Sequence, residues 1–232
     1  MLFSLDSGKP VYTADEADIN GKNILCFTGH REKSITACAK ACGLGRSALV
    51  SVKLMLYRYI DMAADYGYDT FISGLASGID LWAAEYVLLK RRKNSGIRLI
   101  GAMPYLQHSQ RFCAEDKALL TAVENEADML ISVCGDPEAY FSKTCSGRGS
   151  PTLYRDRNYY MVDHSDTVIA FFNKDNFCSG TAQTVNYARR YGKRVVSYDF
   201  DKVREIIEST GEDIRKIGRE ITFIDNPFRS NK

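Results

Sequence analysis

The chain has 232 residues, of which 45% are hydrophobic and 26% charged, and its 31 basic and 29 acidic residues leave a formal net charge of +2. These values are ordinary for a globular protein of one domain and argue against a collagen, a coiled coil or a largely disordered chain. Because the net charge is close to zero, no strong overall field attracts nucleic acid or a membrane surface.

The seven cysteines and three histidines are scattered along the chain, and no CxxC motif occurs. Disulfide frameworks and zinc knuckles need cysteines at short spacings, so the sequence predicts reduced thiols, no metal and no cofactor. Residues 1–22 contain four acids and no apolar run, unlike a secretory signal. No segment approaches the ~18 apolar residues of a membrane span. We therefore expect a cytoplasmic protein with no membrane partner.

Short apolar runs alternate with longer helical patterns after a polar lead-in, residues 1–22. The runs predict strands at residues 23–27, 69–73, 97–103, 128–133, 166–172 and 194–198. The patterns between them predict helices at residues 47–66, 78–93, 109–126, 154–164 and 181–191. Most runs are continuously apolar, which is typical of strands covered on both faces. This alternation predicts an α/β fold with a doubly wound, mainly parallel sheet.

The same pattern predicts the domain organisation. Residues 23–199 form one Rossmann-like domain, and residues 200–232 are a C-terminal extension packed on it. That extension adds a helix and a strand, or it mediates dimer contacts within a homo-oligomer. Residues 134–151 are the one long loop inside the domain, and loops of this length are uncommon unless they are functional or mobile.

Ligands of open parallel sheets bind beyond the carboxyl ends of the strands. Small-residue turns at residues 74–78 and 179–181 follow two of the predicted strands and run into helices. Backbone N–H groups at such a turn face an anion, and glycine permits close approach. The alternative is that both segments are simply tight strand-to-helix turns.

Three motifs resemble the SLOG superfamily: TGHR after the first strand, ISGLASGIDLWAAE at residues 72–85 and CSGTAQTVNYA at residues 178–188. This superfamily includes the Lonely Guy phosphoribohydrolases and the DNA-processing DprA proteins, and TGHR is closest to its YpsA-like branch. The resemblance covers about residues 23–199. It implies a SLOG-type Rossmann-like fold that binds a nucleotide or a nucleotide-derived phosphate ligand.

The chain departs from the motifs of both better-known branches. Lonely Guy enzymes carry PGGxGTxxE, whose glutamate is catalytic, and this chain has Thr184 at that position. Their ERKxxM pattern is matched by Arg157, while Asn158 replaces the lysine. The DprA pattern SGxAxGIDxxAH fits residues 73–80, but its histidine is Ala84 here. The resemblance therefore gives stronger support for binding of a ligand than for its hydrolysis.

The residues expected to contact the ligand follow the strands or lie on the helix before the fifth strand. They are Thr28, Gly29, Arg31, Ser73, Gly74, Gly78, Asp80, Pro104, Arg157, Ser179, Gly180 and Thr181. Arg155 lies two residues from Arg157 and points roughly 200° away on a helix, so only one of them faces the ligand. A catalytic residue is unknown, with Asp80 and Glu85 as candidates. Asp80 is alternatively a helix-end acid that holds its own loop.

Three functions remain open from the sequence. The first is a sensor or regulatory protein that binds a nucleotide without robust catalysis. The second is a nucleoside-monophosphate phosphoribohydrolase whose carboxylate has moved to another position. The third is single-strand DNA binding like that of DprA, which the low net charge and the lack of a basic–aromatic groove disfavour.

Overall fold

The apolar runs pair into one sheet in the computed structural model, which describes residues 1–144, 146–172 and 179–229. The strands are β1 (Leu2–Phe3), β2 (Pro10–Thr13), β3 (Ile24–Gly29), β4 (Thr70–Ser73), β5 (Arg98–Met103), β6 (Met129–Ser132), β7 (Thr167–Phe171) and β8 (Arg194–Tyr198). Their spatial order is β1-β2-β6-β5-β4-β3-β7-β8. β1 is antiparallel to β2, and every other neighbouring pair is parallel. The predicted α/β fold with a mainly parallel sheet is confirmed.

Helices connect most of the parallel strands. They are α1 (Glu32–Ala41), α2 (Ser47–Tyr66), α3 (Ile79–Arg91), α4 (Ala114–Glu126), α5 (Leu153–Asp163), α6 (Gly180–Arg190), α7 (Phe200–Thr210) and α8 (Ile214–Thr222). Gly67 ends α2 in the left-handed conformation, at a φ of 105°, where a side chain is unfavourable. A short 3₁₀ turn, Gly147–Gly149, lies in the long connection between β6 and α5.

The winding direction of the sheet reverses at β3. From β3 the chain moves outward through β4, β5 and β6, and it then returns to place β7 on the other side of β3. The carboxyl ends of β3 and β7, Gly29 and Phe171, pair with each other and mark this topological switch point. In open parallel sheets a crevice forms beyond the strand ends at such a point.

The central strands are apolar on both faces because two hydrophobic layers cover them. Leu25 and Phe27 of β3 belong to the larger layer, which includes buried residues of α2 and α3. Cys26, between them, packs on the opposite face with Met161 and Val162 of α5. Successive side chains of a strand point to opposite faces, so burial on both sides requires the continuous apolar runs found in the sequence.

Both ends of the chain differ from the sequence-based expectation. The lead-in supplies the edge strand β1 and its neighbour β2, in which Val11 alone is buried, so their apolar signal is weak. The segment at residues 32–41, for which no element was predicted, forms α1 and buries Ile35 and Ala39, four residues apart. In residues 200–229 the extension forms two helices instead of a helix and a strand. The β-branched residues near its end follow helical spacing, with Ile217 and Ile221 buried.

The C-terminal helices share the core of the sheet domain. Val203 and Ile206 of α7, and Ile217 of α8, belong to the same hydrophobic layer as Met55 and Leu56 of α2. Asp213 begins α8 by accepting hydrogen bonds from the backbone N–H groups of the next turn. Across residues 1–144, 146–172 and 179–229, the helices lack the length and apolar character needed for a bilayer span.

We expect Ile217→Ala to lower the free energy of unfolding by ~2–5 kcal/mol, because it removes a fully buried side chain from this layer. Ile214→Ala changes a side chain that is 55% exposed on the same helix and should stay within ~0.5 kcal/mol. Urea denaturation of both variants measures the difference. A separate early transition for the extension, with the main transition unchanged, would contradict a shared core.

Candidate functional site

A cleft with a volume of about 290 Å³ lies at the topological switch point, and we call it the switch-point cleft. Segments after three strands line it, together with one face of α5. Its lining residues are Thr28, Gly29, His30, Arg31, Ser34, Ala76, Asp80, Tyr154, Arg157, Asn158, Ser179, Gly180 and Thr181. Most of the residues that the sequence predicts for the ligand are therefore brought to one place.

Four of the predicted ligand residues lie outside this lining. Ser73 is fully buried, where its hydroxyl donates to the carbonyl of Asp80 (2.8 Å) and accepts from the N–H of Leu75 (3.2 Å). The carbonyl of Gly74 accepts a hydrogen bond from Arg157. Ser73 and Gly74 thus shape the loop between β4 and α3.

The other two residues outside the lining are Gly78 and Pro104. Gly78 has a φ of 94°, and a Cβ there would lie 2.7 Å from the backbone nitrogen of Glu32 and the carbonyl oxygen of His30. The loop before α3 therefore packs directly on the segment after β3. Pro104 is buried, and its carbonyl accepts from the N–H of Cys134 (3.1 Å). These two residues position the walls of the site.

Asp80 and Arg157 form a buried ion pair beneath the cleft. The two side chains are 7% and 4% exposed, and Nη1 of Arg157 lies 3.4 Å from Oδ2 of Asp80. Burial raises the pKa of Asp80 to about 6, although the charge of Arg157 acts in the opposite direction. Burial also lowers the pKa of Arg157, and Asp80 opposes that shift. The pair joins α5 to the first turn of α3.

The helical spacing on α5 separates its two arginines as predicted. Arg157 is buried in the cleft, whereas Arg155 is exposed and pairs with its neighbour Asp156 at 2.9 Å. Tyr154 and Asn158 lie three residues before and one residue after Arg157, and both line the cleft. This spacing along the helix was the signal by which Tyr154 could have been found from the sequence.

The amino end of α6 presents backbone N–H groups at the cleft. The hydroxyl of Ser179 accepts from the N–H of Ala182 (3.1 Å), and the first turn of α6 contains no acid. A Cβ on Gly180 would meet no described atom within 4 Å. In α3, by contrast, Asp80 lies in the first turn. Among the described helices that begin near this cleft, α6 is the one whose first turn carries no acid to offset the positive end of the dipole.

Two of the positions that depart from the Lonely Guy patterns are bonded to each other. Nδ2 of Asn158 donates to Oγ1 of Thr184 (3.0 Å), and Thr184 donates to the carbonyl of Gly180 (2.8 Å). Thr184 is fully buried. A neutral hydroxyl with both hydrogen-bonding roles filled thus occupies the position of that family's catalytic glutamate.

The candidate acids differ in their access to the cleft. Asp80 supplies the one carboxylate among the described lining residues. Glu85 is exposed farther along α3. Burial of Tyr57 on α2 raises the pKa of that tyrosine to about 12, and the charge of Glu85 is a second, smaller cause. The structure thus places Glu85 outside the lining of the cleft. No cluster of three or more potential metal-ligating His, Cys, Asp or Glu side chains occurs in residues 1–144, 146–172 and 179–229.

Three further lining residues, His30, Ser34 and Ala76, are not among the residues predicted from the sequence. The ring of His30 contacts Phe171 edge-on at 6.2 Å, and burial lowers its pKa. Ser34 lies one turn after Arg31 on α1, for which no element was predicted. Cys178, the first residue of the motif at residues 178–188, lies outside the described residues.

A family model, a curated protein and a solved structure are similar to this chain. The YpsA model, described as the YspA SLOG family, matches residues 25–204. The uncharacterized SPbeta prophage-derived protein YoqJ of Bacillus subtilis (strain 168) is 32% identical over 120 residues, covering 52% of this chain and 69% of YoqJ. The X-ray structure of DNA processing protein A from Streptococcus pneumoniae has a TM-score of 0.46 and 18% identity, with 75% of this chain matched. The match spans half the length of that protein.

Gly78→Ala should destabilise the fold, because its positive φ alone costs roughly 1–3 kcal/mol for another residue and the added methyl meets backbone. Gly180→Ala, at an open position of the same site, should leave the free energy of unfolding within ~0.5 kcal/mol. Chemical denaturation compares the two variants. Equal losses would contradict the close packing at Gly78.

We expect the stability of the wild type to fall relative to Asp80→Asn as the pH rises from about 4 to about 6. The native pKa of about 6 lies above the ordinary value of 3.8, so the folded chain holds a proton there that the unfolded chain has lost. Denaturation at a series of pH values measures the difference. A constant difference across this range would mean that Asp80 has an ordinary pKa.

Proposed function

We propose that this chain, which belongs to the YspA SLOG family, binds a nucleotide or a nucleotide-derived phosphate ligand in the switch-point cleft. One observation carries the proposal: the acid-free amino end of α6 and the guanidinium of Arg31 line the same cleft, on opposite sides of the sheet's switch point. Free N–H groups and a guanidinium are the donors that proteins use for phosphate.

The charges around the cleft leave Arg31 to balance the ligand. The buried Arg157 is paired with Asp80 and donates to the carbonyl of Gly74, so its charge is largely compensated within the protein. Arg31 is exposed, and its guanidinium lies 5.7 Å from the centre of the Tyr154 ring. A planar guanidinium held over an aromatic ring can still bind a phosphate through two N–H groups.

We infer that the ligand is bound rather than efficiently cleaved. The position of the Lonely Guy catalytic glutamate is filled by Thr184, whose hydroxyl is already bonded to Asn158 and Gly180. Loss of a positioned acid or base typically costs ~10²–10⁴ in rate. Retained binding with weak turnover suits a sensor or regulatory protein.

One observation favours a second candidate, an N-glycosidase that acts on nucleoside monophosphates. Asp80 lines the cleft, and its pKa of about 6 is close to the value that suits a general acid at neutral pH. Its pairing with Arg157 opposes this role, because proton transfer would break a buried ion pair. Release of free base from AMP by the wild type, lost in Asp80→Asn, would favour the enzyme over the sensor.

Thr181→Glu should weaken the binding of AMP by at least about tenfold, because it places a carboxylate at the α6 end where the phosphate is expected. Thr181→Gln has nearly the same size without the charge, and it should bind AMP within about threefold of the wild type. Calorimetric titration measures both, with thermal unfolding as the check on folding. Equal affinity of the Glu variant and the wild type would place the phosphate elsewhere.

A further inference from the structure

A second cleft, with a volume of about 350 Å³, adjoins the switch-point cleft and shares Arg31 and Tyr154 with it. We call it the aromatic cleft. Its walls carry the rings of Tyr105, Phe112, Tyr140, Phe141 and Tyr154. Two guanidinium groups, those of Arg31 and Arg111, also line it, and its described lining contains no carboxylate. The combination of ring faces and positive charge suits a planar group attached to an anion.

The ring at the junction of the two clefts is held from two sides. Tyr105 contacts Tyr154 edge-on with ring centres 6.0 Å apart, and Phe141 does so at 5.3 Å. The hydroxyls of Tyr105 and Tyr154 are 3.4 Å apart. Arg31 lies over the same ring. A ligand that extends across both clefts would therefore contact Arg31 and Tyr154, whose side chains are already held in place.

Buried polar groups line the aromatic cleft beside its rings. His108 is 4% exposed, and hydrogen bonding to the backbone of Leu75 and Tyr105 acts on its ring. Oε1 of Gln107 is buried and has no hydrogen-bond partner within the described part of the chain. Buried polar atoms are normally satisfied, and leaving one unpaired costs roughly 1–3 kcal/mol. A ligand whose edge carries a hydrogen-bond donor can satisfy this oxygen once the side chain turns toward the cleft.

The protonation state of His108 suits hydrogen bonding to the edge of a planar ligand. Burial, assisted by the charge of Arg157, lowers the pKa of His108 to about 4, so the ring is neutral near pH 7. A neutral imidazole has one donor and one acceptor nitrogen. Nucleobases carry the same mixture of donors and acceptors on their edges, together with a π face for stacking.

We propose that the aromatic cleft binds the base of the nucleotide whose phosphate occupies the switch-point cleft, with Arg31 at the junction between the two subsites. This inference rests on the proposed function, because the proposed function supplies the position of the phosphate. It assigns the long β6–α5 connection a purpose, because Tyr140 and Phe141 come from that segment. The ligand class is a nucleoside phosphate rather than a simple sugar phosphate.

The test separates the base from the phosphate by comparing ribose 5-phosphate with AMP, GMP, CMP and UMP in calorimetric titrations. At least one nucleotide should bind the wild type about tenfold more tightly than ribose 5-phosphate, as expected for stacking on aromatic side chains. Phe141→Ala should reduce that preference to within about threefold while the affinity for ribose 5-phosphate stays the same. Phe141→Tyr keeps the ring and should retain the preference.

The outcomes distinguish the two proposals. If ribose 5-phosphate binds and no nucleotide binds more tightly, the base subsite is wrong and the phosphate site stands. If neither ribose 5-phosphate nor any nucleotide binds, the proposed function itself fails. Tyr140→Ala, which changes a side chain that is 49% exposed, replaces Phe141→Ala if that variant does not fold. A nucleotide preference that survives loss of either ring would overturn the base subsite.

Discussion

A buried guanidinium on α5 joins parts of the chain that are far apart in sequence. Arg157 pairs with Asp80 at the start of α3 and donates to the carbonyl of Gly74 after β4. Removing the guanidinium would leave the Asp80 carboxyl buried without an opposite charge and would break the bond to Gly74, which is strongly destabilising. A Cβ at Gly74 would overlap the guanidinium, so the glycine is part of the same arrangement. The floor of the switch-point cleft depends on this one interaction.

The ion pair also determines which positive groups remain for a ligand. Asp80 offsets both the charge of Arg157 and the dipole of α3, whose first turn it occupies. Among the described lining residues, the amino end of α6 and the exposed Arg31 remain as positive groups. In the proposed binding mode, the acid that pairs with Arg157 therefore leaves the reversal point of the sheet as the position for an anion.

Much of this arrangement was predictable because it follows from local pattern and strand order. Continuous apolar runs identified β3 to β8, and the rule for parallel sheets placed the turns after β4 and β7 at one edge of the sheet. The pairing of Asn158 with Thr184 was not predictable, since it depends on how two helices cross. Strand β2 and helix α1 were missed because each buries few residues. The aromatic cleft was missed because its rings come from several distant segments.

The Asn158–Thr184 hydrogen bond restricts how a site of this kind can change during evolution. Each residue satisfies a polar atom of the other, and Thr184 is fully buried. Replacing Thr184 with an acid would bury a carboxylate next to the carbonyl oxygen of Gly180. The group beside that carboxylate would be the amide of Asn158, whereas the Lonely Guy enzymes have a lysine at this position. Replacing Asn158 first would leave the threonine hydroxyl with one partner fewer. If the two residues change one at a time, a change from a binding site to a hydrolase would therefore pass through a protein of lower stability. The two positions thus constrain each other's evolution.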